Sequence, residues 1–249
     1  MLGRLPFLQL QSDVIDVVYL TWLVPAEQAR NFVSGSVEIW QRNGLAPFTI
    51  LSYRHQHFGP AMLGSIRKLF PSPLQSNWRF YLRNAPLGAP DDNTVFFTHN
   101  VLSSLPYALG ARTMSDALPA DLAAKFVHRR VEDTYTTEIE PGAGSAPLFV
   151  SHVRRSVLTQ LPPAFVDVFE NWHAAVSFLA LQDAAVAEVE DIGRLAFARI
   201  NLPVPLTEIV TAEALRVSCP VVESLRPVGQ PLCFVVPRVP FKVCSEQLL

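Results

Sequence analysis

Proline and glycine punctuate the chain at intervals of roughly 10–20 residues. With 21 prolines and 11 glycines in 249 residues, few stretches can hold a long helix, because proline removes a backbone donor and its ring collides with the preceding helical turn. The pattern suits many short strands joined by turns. It is densest after Pro203, where Pro205, Pro220, Pro227, Pro231, Pro237 and Pro240 leave room for no long helix beyond a segment at 211–215.

Residues 13–23, which include Val14, Ile15, Val17, Val18 and Tyr19, are predicted as a strand although apolar and polar side chains alternate poorly there. A short helix led by Pro25 is predicted over 25–30. Strands are predicted over 48–58, 78–83 and 94–99, each alternating aromatic with polar residues, as in a sheet with one face on a core and the other lining something wetter. A helical turn at 64–70 stops at Pro71 and Pro73. Ser115 or Asp116 caps a short helix whose length Pro119 limits. Residues 127–140 read as an exposed or edge strand and 141–147 as a turn. The turn's glycines make no phosphate loop, since no Lys-Ser/Thr pair follows and no helix begins there. Residues 166–189 admit two readings. Alanines and the spacing of Phe169, Trp172 and Val176 suit a helix, whereas alternation through Val176, Phe178 and Ala180, then Ala185, Ala187 and Val189, suits a hairpin. The expectation adopted is a helical turn to Asn171 followed by strands. No repeat or linker divides the chain, so residues 1–249 are expected to form one domain.

The 20 basic and 22 acidic side chains nearly cancel, which removes the electrostatic argument for a nucleic-acid or anionic-membrane partner. Small or neutral partners are expected instead. Only Lys68, Lys125 and Lys242 offer an amine nucleophile. Cys219, Cys233 and Cys244, odd in number, suit the reduced thiols of an intracellular protein. The N-terminal segment lacks the basic start and cleavage site of a signal peptide, and no apolar run reaches the ~18 residues of a membrane span. A cytoplasmic protein is therefore expected. Its slightly positive mean hydropathy is compatible with a homo-oligomer that buries apolar surface between subunits.

The stretches APFTILSYRHQHFGP, NWRFYLRN, VFFTHNVLSSLPYALGARTMS and NLPVPLTEI together resemble the YqjF-like family of uncharacterised proteins (conserved domain of unknown function 2071), within the acetoacetate-decarboxylase-like superfamily. The likeness runs over about residues 17–243. It implies an α+β, β-rich fold in which antiparallel strands curl into an acetoacetate-decarboxylase-like cone or barrel, with a few short helices. A closed barrel of about this strand number can hold one small ligand. The decarboxylases use two adjacent lysines, one forming a Schiff base while its neighbour lowers its pKa. The corresponding stretch, residues 108–120, contains no lysine, and Arg79 aligns where the decarboxylases carry an assisting carboxylate. The resemblance thus implies the fold without imine decarboxylation.

On a regular strand His55 and His57 project from one face about 7 Å apart, together with Tyr53. Adding His99 would supply three neutral nitrogens, the number an open zinc site needs. The plainer alternative is a hydrogen-bonded polar wall. No metal or cofactor is assigned, because no third ligand is tied to the pair by spacing. Either imidazole also has the intrinsic pKa of a general acid or base. The strand NWRFYLRN puts Asn77, Arg79, Tyr81 and Arg83 on one face and Trp78, Phe80 and Leu82 on the other. Inside a barrel Arg79 would require a carboxylate from Asp116, Glu132, Glu138 or a ligand, and its planar guanidinium is shaped to grip a small organic acid. On an exposed face it would be ordinary. Arg67-Lys68 reads as a surface pair, since helical neighbours point apart. The expected ligand-binding set is Tyr53, His55, His57, Arg79, Tyr81 and His99, with His55, His57 and Tyr81 as catalytic candidates. Two functions stay open: binding of an organic acid or carbonyl compound, or a lyase- or hydratase-like reaction through His/Tyr acid–base groups or a His-bound metal.

Overall fold

The computed structural model describes residues 8–90, 93–142 and 144–249. Among these, twelve strands join in one mostly antiparallel sheet: β1 (Leu10–Pro25), β2 (Leu45–Pro60), β3 (Leu74–Tyr81), β4 (Thr94–Leu102), β5 (Ala120–Leu122), β6 (Lys125–Val131), β7 (Thr134–Glu140), β8 (Phe149–Arg155), β9 (Ala184–Val189), β10 (Arg194–Asn201), β11 (Val210–Ser218) and β12 (Val228–Leu248). Four short helices accompany them among the described residues: α1 (Ala26–Ala29), α2 (Leu105–Met114), α3 (Trp172–Ala180) and α4 (Pro220–Ser224). Because β1 pairs with β12 as well as with β2, the path β1-β2-β3-β4-β9-β10-β12 closes into a barrel. From β12 the sheet continues through β11, β8, β7 and β6 and folds back over the barrel's outer wall. The β-rich α+β class and the curled sheet agree with the sequence expectation.

Two cores follow from this arrangement. Inside the barrel Val17, Tyr19, Leu51, Phe234 and Val236 meet Trp172, Val176 and Leu179 of α3, which plugs one end. Between the barrel wall and the returning strands, Val18, Phe48, Trp78 and Phe80 pack on Ile139, Phe149 and Val153. A strand between two cores is apolar on both faces, which explains why β1 lacks clean alternation. The extra residue at Asp16 (φ 52°) coincides with a register break against β2, so Val14 and Val17 both face inward. This is the local kink of a β-bulge.

Several elements differ from the sequence expectation. The helix expected to open at Ser115 instead runs from Leu105 to Met114 with Ser115 as its C-cap, and Ala120–Leu122 pairs in parallel with β4. The start signal was Pro106 in the first helical turn, a position where proline's missing N–H costs nothing. Residues 127–140 are no single strand, because Glu132 (φ 53°) turns the chain between β6 and β7. β6 does lie at the end of the sheet, as expected of an edge strand. In the region with two readings, helix propensity prevails for Trp172–Ala180, and only β9 is a strand. The segment at 211–215 is strand β11, not helix. Pro237 and Pro240 sit inside β12 because residues 236–241 pair with β1 alone, the pairing of β12 with β11 stopping at Val235 and that with β10 starting at Lys242. Proline is tolerated where one side of a strand is unpaired.

Asn171 caps α3 by accepting a hydrogen bond from the Ala174 amide at 2.9 Å. Asn171→Ala is expected to lower unfolding free energy by about 1 kcal/mol, measurable as a reduced urea midpoint at constant slope. Among the described residues no helix is long and apolar enough to cross a membrane.

Candidate functional site

Above the α3 plug the barrel encloses a cavity of about 1500 Å³. Its polar groups collect on neighbouring strands. Gln75, Asn77 and Arg79 project inward from β3, Tyr19 from β1, Tyr53 from β2 and Asn100 from β4. The period of two along β3 places alternate residues on one face, so Trp78 and Phe80 point into the outer core instead.

Arg79 is 2% exposed. Its Nη2 donates to the Leu179 carbonyl at 2.9 Å, and the guanidinium carbon lies 5.6 Å and 5.4 Å from the ring centroids of Tyr19 and Tyr81. Leu179 belongs to the last turn of α3, whose carbonyls lack helical partners and carry the negative end of the helix dipole. The Tyr81 hydroxyl donates to the same carbonyl at 3.0 Å and contacts Thr49 Oγ1 at 2.9 Å. The carboxylate expected for Arg79 is missing among the described residues. Glu138 pairs with Lys125, Glu132 sits in the β6–β7 turn, and Asp116 lies exposed at the cavity's far end. A helix terminus and two aromatic faces offset only part of a unit charge, and Arg79 Nε has no hydrogen-bond partner.

A second polar chain runs through the wall. His55, fully buried, contacts Ser12 Oγ through Nδ1 at 2.6 Å and Gln75 Oε1 through Nε2 at 2.5 Å. Because an amide oxygen only accepts, Nε2 carries the proton and Nδ1 accepts from the serine. Gln75 Nε2 donates to Asn100 Oδ1 at 2.6 Å, leaving Asn100 Nδ2 without a partner. Among the described residues three buried side-chain polar atoms lack a partner. Two of them, Arg79 Nε and Asn100 Nδ2, are donors on residues of the cavity wall, and the third, Ser151 Oγ, lies on β8 outside it. Burial pushes the Tyr19 and Tyr53 phenols up, keeping them protonated, and Tyr53 donates to Asn77 Oδ1 at 3.0 Å. Burial also lowers the His55 pKa to about 4, against the opposing hydrogen bond to Gln75.

Of the residues singled out from sequence, Tyr53 and Arg79 line the cavity. His55 and Tyr81 stand one layer behind it, in contact with Gln75 and Arg79 respectively. His57 and His99 lie elsewhere. A register break opposite Ser12 makes His57 (φ 54°) the extra residue of a bulge, so Phe58 turns inward and His57 is exposed. On β4, Trp78 pairs with His99 and Arg79 with Phe97, so Thr98 is the extra residue. His99 thereby faces the outer core, its Nδ1 3.0 Å from Asp121 Oδ2 and its ring edge-on to Trp78. The three histidines do not converge. No group of three or more His, Cys, Asp or Glu residues suited to a metal ion occurs among the described residues. Tyr19, Gln75 and Asn100 were missed. Gln75 carried a signal, since it lies two and four residues before Asn77 and Arg79 on the same face. Lys68 and Lys125 are exposed and Lys242 is half-buried, and none of the three lines the cavity.

No family model matches the chain and no curated protein sequence matches it. Solved structures do. MppR, an enduracididine biosynthesis enzyme in complex with pyruvate, superposes with a TM-score of 0.64 at 11% identity, covering 98% of this chain and 91% of that one. An acetoacetate decarboxylase from Legionella pneumophila gives 0.60 at 10% identity, covering 98% and 88%. An acetoacetate decarboxylase-like enzyme from Sphingomonas wittichii RW1 gives 0.59 at 8% identity, covering 98% and 94%. At these identities the likeness establishes the fold, an acetoacetate-decarboxylase-like barrel.

Proposed function

We propose that the protein, a YqjF-like variant of this fold, binds a small organic acid in the barrel through Arg79, with a second oxygen of the ligand accepting from Asn100. The observation that carries this reading is the buried, carboxylate-free guanidinium whose Nε, like Asn100 Nδ2, lacks a partner in the cavity wall. Such groups are costly to bury unless something completes them. An anion with an adjacent oxo or hydroxy group does so with charge-assisted hydrogen bonds. That MppR has been solved with pyruvate supports a carboxylate-bearing ligand for this architecture.

Imine chemistry is not part of the proposal, because no lysine reaches the described cavity wall. For a lyase- or hydratase-like reaction, His55 is set behind Gln75, His57 lies outside the barrel and the Tyr53 hydroxyl is spent on Asn77, which leaves the protonated phenol of Tyr19 as the donor to a bound oxyanion. Isothermal titration with 2-oxo, 3-oxo and 3-hydroxy acids, each against its primary amide, tests the binding reading. Saturable binding of the acids and at least tenfold weaker binding of the amides is expected. Equal affinity for both would overturn it.

A further inference from the structure

Resting on that reading, the shape of the cavity says more about the ligand than its polar end does. A volume of about 1500 Å³ exceeds what a drug-sized molecule fills, since ligand pockets run to roughly 300–1,000 Å³. A three- or four-carbon acid on Arg79 would leave most of it empty. Apart from the groups at the opening, its polar residues gather toward the Arg79 end. Along β1 the wall runs from Tyr19, beside Arg79, through Val17 and Val14 to Leu10, which at ~3.3 Å per residue spans roughly 25–30 Å once the bulge is allowed for. Facing it, β12 contributes Val239, Phe241 and Val243, and β10 contributes Ile200. Those side chains carry no hydrogen-bonding group. Beyond Gln75, which stands level with Tyr53 on the neighbouring strand, the passage between these apolar side chains is a site for hydrocarbon.

The opening carries the opposite charge from the closed end. Glu246 and Asp116 sit there, and the Glu246 carboxylate accepts from Ser115 Oγ at 2.6 Å and from the Asp116 amide at 2.5 Å. Arg112 lines the same end, but its Nε and Nη2 donate to the Ala120 carbonyl and to Ser145 Oγ, so the two carboxylates leave a net negative charge that disfavours a second anionic group on the ligand's distal end.

We infer that the ligand is an amphipathic monocarboxylate, a long-chain fatty acid oxygenated near its head, with the carboxylate on Arg79 and the acyl chain running along Val17, Val14 and Phe241 toward Glu246. Burial of a methylene strengthens binding by roughly threefold to fourfold before ordering costs are deducted. Affinity therefore rises steeply with chain length until the hydrocarbon reaches the opening.

The test is titration of the full chain with 3-hydroxybutanoate, 3-hydroxyoctanoate, 3-hydroxydodecanoate and dodecane-1,12-dioate. A hundredfold or greater tightening from the four-carbon to the twelve-carbon monoacid is expected, with the diacid at least tenfold weaker than its monoacid counterpart. Ile200→Trp, or Val243→Phe should the first variant not fold, narrows the apolar channel and is expected to collapse the ratio of long-chain to short-chain affinity toward one. Affinity independent of chain length, with the four-carbon acid still bound, would overturn the inference while leaving the organic-acid reading intact. Failure of every acid to bind would overturn both.

Discussion

Exchanging Arg79 for methionine is expected to weaken binding of the organic acid by at least a hundredfold, about 3 kcal/mol, and to leave the stability of the ligand-free protein unchanged or higher. The two halves of this result have one cause. In the free protein the guanidinium is almost wholly buried, with one helix-terminal carbonyl, two aromatic faces and an unpartnered Nε in place of a carboxylate. Replacing a buried charge of that kind by an apolar side chain of similar length removes a desolvation penalty and is often neutral or stabilising. In the complex the same group makes charge-assisted bonds worth roughly 1.5–3 kcal/mol each. A guanidinium kept for structure would behave in reverse, and its methionine variant would lose several kcal/mol of stability with little change in ligand affinity. Arg79→Lys separates charge from geometry: it keeps the cation, forfeits the planar fork and is expected to bind roughly tenfold more weakly than the parent. Calorimetric titration and urea denaturation on the same preparations decide the matter. Parallel losses of stability and affinity in the methionine variant would remove Arg79 from the binding role.

How far the fold could be read from the sequence depended on where the strands were regular. β3 keeps strict period-two alternation, so the division of Asn77, Arg79 and Tyr81 from Trp78 and Phe80 was legible and fixed which side of that strand meets the cavity. Arg83 departs from it only because the strand ends at Tyr81, and it pairs with Glu38 on the surface. The histidines failed for a shared reason. A single extra residue at His57 on β2, and another at Thr98 on β4, inverts the parity of everything beyond it, and a bulge leaves no dependable mark in a sequence that lacks glycine at that point. Asp16 hides Tyr19 in the same way. The α3 plug was obscured because an alanine-rich segment buried on several sides offers neither period clearly. Its capping residue, Asn171, was the discriminating signal. The long apolar passage was invisible for another reason. Val14, Val17, Val239 and Phe241 read as ordinary core positions, and only barrel closure through the β1–β12 pairing reveals that they face empty space.

Acidification is expected to destabilise the protein through His55 by about 3 kcal/mol between pH 7 and pH 4. Burial lowers the native pKa of this imidazole from 6.5 to about 4, so the folded state keeps it neutral over a range in which the unfolded chain binds a proton. Stability conferred by the neutral histidine is complete above pH 6.5, falls progressively as the pH drops below it, and has been lost once the pH reaches about 4. Taken at about 1.4 kcal/mol per pH unit, that interval gives the stated loss. The groups packed on the ring cannot soften it: Ser12, Gln75, Tyr53, Phe58 and Phe241 bring no negative charge to stabilise an imidazolium. Protonating Nδ1 would also reverse the bond from Ser12. His128 is buried as well and its pKa is lowered too, so it steepens the same limb, whereas Glu246, whose pKa burial raises, opposes it. The comparison of His55→Gln with the parent cancels both contributions. Glutamine retains an N–H for Gln75 but does not titrate, so its stability is expected to decline by about 3 kcal/mol less over the same interval, whatever its value at pH 7. Urea unfolding of the two proteins at half-unit steps of pH reads the difference directly. Superimposable slopes would mean that His55 takes up its proton in the native wall as readily as in the unfolded chain, and the proton order assigned along Ser12, His55, Gln75 and Asn100 would have to be redrawn.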